Sequence, residues 1–277
     1  MNNFLILLKD NLLSSLRTKK AIIFLILYLG VFWLIIYAFI KTQAKVYTKF
    51  SEQGVSPEHQ RIITSFAKNF LLSNSGENIE LVNFLLSVSF FNIALFCVTI
   101  FGTPLLILIL KYDVITQEFY DKTFRFLTFR VARWKIILAK FFSGFFEIGV
   151  FTFLAFLVGI FLANMNLNGF DLTRSFRAGI WFWGVSQFFL MVFLSFAILI
   201  STVAKKPFFA LLFSIIGNLF FLIIPNWINF VSPFDMKFVV GLFHDFSTEL
   251  WYSILAYLVF SVVFLSGAIF IFNRKNL

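Results

Sequence analysis

Few residues in this chain have the chemistry to act as catalysts. Two histidines, His59 and His244, and one cysteine, Cys97, are its entire stock of imidazole and thiol groups. The histidines are far apart, and no H-E-x-x-H, G-x-S-x-G or Cys/His cluster at metal-ligand spacing surrounds them. A G-x-x-x-x-G-K-[ST] loop is absent as well, so no P-loop for ATP is expected here. A single cysteine cannot form an intramolecular disulfide, and Cys97 reads as core packing. The remaining candidate is an acid. Glu147 stands alone in the apolar run KFFSGFFEIGVF, where an ionised carboxylate must face the bundle interior, water or a basic partner, or carry a proton. Its functional reading is a cation or proton site on a translocation path. Lys140 lies two turns earlier on the same face, about 10 Å away and too far for direct contact.

The other informative segment is charged and amphipathic. Between Lys111 and Lys140 it carries Glu118, Phe119, Asp121, Lys122, Thr123, Arg125, Phe126, Arg130 and Arg133, with a Glu118–Lys122 pair at the favourable i, i+4 spacing. Composition leaves two readings open: a basic interfacial helix snorkelling to lipid headgroups, or a docking surface for a soluble partner.

The elements that must hold these groups follow from composition. Of 277 residues 60% are hydrophobic and only 13% charged, against roughly 45–50% and about 25% in soluble domains. Mean hydropathy is +0.93. The class is an all-α membrane protein in one domain, 1–277, because the apolar runs are continuous rather than alternating. Charge-poor stretches place six spans at about 21–40, 84–110, 138–163, 179–203, 207–225 and 251–272, each near the roughly 20 residues a bilayer requires. Residues 1–20 read as an interfacial amphipathic helix, since Phe4, Leu5, Leu8, Leu12 and Leu16 gather near one face. The loop 41–83 is large enough for a small helical cap, and 226–249 reads as a re-entrant or interfacial segment. The connector is 111–137.

Lysine and arginine set the orientation. With six spans, fifteen of the 23 cations fall on the side of the termini and the connector, and eight on the other. Acids divide four against eight with Glu147 between, so the basic side carries +11 and the opposite side zero. Both termini are expected in the cytoplasm. This sorting accounts for the net charge of +10 without nucleic acid.

The order Glu118, Thr123, Arg125, Leu127, followed by Arg130, Arg133 and Leu138-Ala139-Lys140, resembles the first cytoplasmic loop of ABC-2 type transporter permeases. The amphipathic start, the hinge Thr202–Lys206, Ser232-Pro233 and the basic tail 273–277 fit the same pattern along nearly the whole chain. Family members usually have Gly where Lys122 stands and often Pro where Val131 stands. Both are turn residues, so this connector is expected to be more continuously helical. The resemblance implies a type V exporter-like transmembrane domain in the bacterial inner membrane, working as a permease without catalytic residues or cofactors of its own. ATP and Mg would be bound by two copies of a separate ABC-type ATPase. The permease would pair with itself or a related chain, contact lipid, and meet an extracytoplasmic partner. The coupling surface would comprise Glu118, Phe119, Asp121, Lys122, Thr123, Arg125, Phe126, Arg130 and Arg133, with Lys205 and Lys206 as a second contact; the reading of Glu147 as a translocation-path residue comes from its place in the apolar span and not from the resemblance. Two rivals stand beside this: an ATP-independent channel or secondary transporter, and a membrane enzyme or assembly factor.

Overall fold

The computed structural model describes residues 2–17, 19–52, 99, 102–104, 107–121, 131–166, 172–223 and 248–275. Among them every regular element is helical. These are α1 (Asn2–Arg17), α2 (Lys19–Glu52), the short α3 (Thr116–Tyr120), α4 (Arg133–Asn166), α5 (Leu172–Val203), α6 (Pro207–Ile223) and α7 (Thr248–Arg274). Four described stretches are long and apolar enough to cross a membrane: Ala21–Ala38, Arg133–Met165, Ser175–Val203 and Leu250–Arg274; α6 is a shorter apolar helix. Most of the expected second span, most of the 41–83 loop and nearly all of the 226–249 segment lie outside the described residues.

Helix ends run past the apolar stretches. α2 continues twelve residues beyond Ile40 to Glu52, because KTQAKVYTKFSE contains neither Gly nor Pro and the first breaker is Gly54. α4 has 34 residues, about 51 Å at 1.5 Å each, so it outreaches a hydrocarbon core of about 30 Å. Its Arg133–Glu147 part is what meets the connector.

α5 is the axle of the bundle. Its apolar window is 78% buried, against 17% for α7 and 24% for α2. α7 packs along it most extensively, with α4 and α6 on its other sides. Phe189 and Phe193 of α5 sit 4.8 Å apart, and Tyr257 of α7 meets Phe189 edge-on at 5.6 Å, geometry that aromatic quadrupoles favour. Two glycines permit close approach. A Cβ on Gly179 would lie 1.8 Å from the Phe156 ring, and one on Gly217 would lie 2.5 Å from Phe196.

α2 contributes one narrow stripe. Tyr28, Phe32, Ile36 and Ile40 recur every fourth residue and pack on Ala155, Phe156, Ile160 and Ala163 of α4. The rest of α2 exposes Ile22, Ile23, Ile26, Leu27, Val31 and Leu34. A helix apolar on all sides with one packed face suits a lipid surround. α1 packs across α4, with Phe4 edge-on to Phe142 at 6.5 Å.

Candidate functional site

The start of the connector is bolted to the end of α5 by one serine. Helix α3 has Ile115 at its N-cap, and Ile115 has no capping side chain of its own, so its first amides need acceptors from elsewhere. Ser201 supplies them: its Oγ accepts from the Ile115 N–H at 2.9 Å and from the Thr116 N–H at 3.0 Å. Thr116 returns the contact, donating its hydroxyl to the Ser201 carbonyl at 2.5 Å. The Ser201 hydroxyl hydrogen then has Thr116 Oγ1 at 3.1 Å as its acceptor. Both side chains are fully buried.

This anchoring breaks the connector into pieces. Residues 112–115 are turn, α3 spans five residues, and 131–132 are non-helical before α4 begins. The more continuous helix expected from Lys122 and Val131 is therefore not what forms at either described end. The reason at the first end is physical: the α3 amides are taken by Ser201, which starts a new helix rather than extending the old one.

α3 has two faces. Inward, Phe119 packs edge-on against Phe272 of α7 at 5.5 Å, and Glu118 forms an ion pair with Lys140 of α4. Outward, Gln117, Tyr120 and Asp121 are exposed, with the Gln117 amide donating to Asp121 at 2.9 Å. Arg133 also turns inward. Its guanidinium donates to the carbonyls of Phe272 (3.2 Å), Asn273 (2.9 Å) and Lys275 (3.0 Å), satisfying acceptors that a helix C-terminus leaves open and placing a cation at its negative end. Lys275 closes the knot. Its ammonium lies 4.4 Å from the Phe119 ring centre and 3.5 Å from the Ala204 carbonyl. Burial, together with nearby Lys205, holds the Lys275 pKa below the ordinary lysine value.

Beside α3 lies a cavity of about 230 Å³ between α1, the connector and α4, lined by Asn11, Ser14, Gln117 and Ser143 among others. Two ion pairs cross it. Glu147 is 2% exposed and pairs with Lys111, itself 8% exposed; Lys140 (6%) pairs with Glu118 (29%). Ser15 of α1 joins the first pair, donating to Glu147 at 2.5 Å and accepting from Lys111 at 3.2 Å. Glu147 thus takes the basic-partner option among those its sequence position left open. Lys140, on the same helix face, is indeed directed to a different acid.

Of the residues expected at the coupling surface, Glu118, Phe119 and Arg133 turn into the protein, while Asp121, Lys205 and Lys206 are exposed. Lys122, Thr123, Arg125, Phe126 and Arg130 lie outside the described residues. Sequence reasoning passed over Ser201, Thr116, Ser15 and the partner role of Lys111. One signal for the lysines was present: Lys-x6-Glu occurs at 111/118 and 140/147, as it also does at 45/52. No such pattern marks Ser201. Among the described residues no three His, Cys, Asp or Glu side chains gather as a metal site.

No curated protein matches the chain. A family model described as ABC-2 family transporter protein matches residues 5–277, nearly the whole length. A basic platform uniting the ends of four helices, apolar helices long enough to span a bilayer, and that match agree, and the chain is a membrane-integral member of the ABC-2 transporter family.

Proposed function

We propose that the chain is the permease subunit of an ATP-binding cassette transporter for export or translocation of a substrate, with ATP and Mg bound by a separate ATPase chain present in two copies. Two permeases, identical or related, sit over those ATPases in the bacterial inner membrane with the connector on the cytoplasmic side. The single observation that carries this reading is the two-faced α3. Its inner face is tied to α4, α5 and α7 through Glu118, Ser201 and Phe119, and its outer face presents Gln117, Tyr120 and Asp121 to solvent. Any push on the outer face reaches three helices at once. Such an element suits the transmission of ATPase closure to a bundle.

The coupling surface then includes Tyr120 and Asp121 of the connector and Lys205 and Lys206 after α5. A photo-crosslinking amino acid at Tyr120 tests it in native membranes. Capture of a P-loop ATPase from position 120, and none from the inward Phe119, is the expected result. Capture of lipid alone from both positions would overturn the reading.

A further inference from the structure

The cavity beside α3 holds a feature that fixes how the connector sits on α4. The connector reads Lys111-x6-Glu118 and α4 reads Lys140-x6-Glu147. The pairs formed are Lys111 with Glu147 and Glu118 with Lys140. Two identical charge patterns match only when their segments run in opposite directions. In parallel alignment lysine would face lysine, and glutamate would face glutamate. Seven residues are about two helical turns, so on α4 the two charges share one face. The Ser15 hydroxyl ties α1 into the first rung.

We infer that Lys111, Glu147, Lys140 and Glu118 form an antiparallel two-rung ion-pair ladder that sets the register of the coupling element against α4 and α1. These four are positioning residues, acting through α3 rather than touching nucleotide or cargo. The inference rests on the permease reading for its functional consequence, though its geometry does not. Buried ion pairs contribute little net stability, because the charges must leave water, yet breaking one strands its partner. They discriminate strongly between a matched register and a mismatched one. Such discrimination suits an element that must return to one position after every cycle. It also gives Glu147 a task that requires a partner of opposite charge and no traffic of ions.

Spin labels at Tyr120→Cys and Phe146→Cys in a Cys97→Ser background report the α3–α4 distance in the full chain without an ATPase. A narrow distance distribution is expected for the unmodified ladder. It should broaden in Lys111→Glu and in Glu147→Lys, and narrow again when both are combined, since the rung is restored with its signs exchanged. Nucleotide hydrolysis by the co-reconstituted ATPase should fall about tenfold or more in each single variant and recover in the double. If a reversal does not survive extraction, Lys111→Met and Glu147→Gln carry the same expectation of a broadened distribution. Single variants that keep a narrow distribution, or a double variant as broad as the singles, would overturn the ladder. Distances that follow the expected pattern while no variant, nor the parent, stimulates an ATPase would support the ladder and sink the permease reading instead.

Discussion

Ser201 concentrates more of the connector's geometry than any charged residue. Its hydroxyl oxygen is the shared acceptor for two successive amides at the head of α3. Ser201→Ala should cost about 1–2 kcal/mol of local stability, as the loss of a helix cap with buried donors does. The check is hydrogen exchange: amides of Ile115 and Thr116 should exchange faster while those in the middle of α5 are unchanged. Lys275 permits a test by pH. Its lowered pKa means that the folded protein holds this proton less tightly than the unfolded chain does. Stability from this group therefore rises with pH, through the window between the lowered value and the ordinary 10.5, and is at its least below that window. Thermal unfolding of the parent minus that of Lys275→Met should shift in the parent's favour across that alkaline window. A flat difference would mean that the ammonium's contact with the Phe119 ring offsets its burial.

The helices differ in what specifies them. α5 is enclosed on most sides, and its contact with α4 depends on a gap where Gly179 faces the Phe156 ring. Gly179→Ala should destabilise the α4–α5 contact by about 1–3 kcal/mol through overpacking, and Phe156→Leu in the same chain should recover most of it; melting in detergent reads both. Helix identity was legible because lipid demands long apolar runs, and those containing α2, α4, α5 and α7 stand out by hydropathy alone. Helix ends were less legible. α2 extends to Glu52 and α4 begins at Arg133, since a helix stops where breakers or competing hydrogen bonds stop it, not where apolarity ends. The connector was legible as a charged, amphipathic segment, but the direction in which each of its side chains faces was not. The resemblance placed Glu118, Phe119 and Arg133 at a coupling surface and did not single out Tyr120; in the structure the first three pack against α4 and α7. Which neighbour faces in depends on Ser201, Phe272 and Lys140, residues 22 to 153 positions away. No local pattern could have carried that information.

Among the described residues the charge is uneven from end to end, and under the permease reading the basic end is the one an ATPase would reach. Lys205, Lys206, Arg133, Lys140 and Lys275 gather at the connector end with Ser201 and α3. At the other end of α7, Trp251 and Tyr252 are 60% and 66% exposed, and Arg274 lies 4.2 Å from the Phe270 ring at the basic end. Trp251 and Arg274 are about 35 Å apart along the helix at 1.5 Å per residue, close to a bilayer's hydrocarbon thickness of about 30 Å. Aromatic side chains at one boundary and a cation over an aromatic ring at the other are what the two interfaces of a membrane select. Positive-inside sorting predicts Lys206 in the cytoplasm and Met165, at the far end of α4 and 68% exposed, outside. In sealed cells lacking the native thiol through Cys97→Ser, a membrane-impermeant maleimide should modify Met165→Cys promptly. Lys206→Cys should react only after lysis. The reverse pattern would put α3 and its outer face beyond the reach of any cytoplasmic ATPase, so this one labelling experiment bears on the orientation and on the coupling mechanism together.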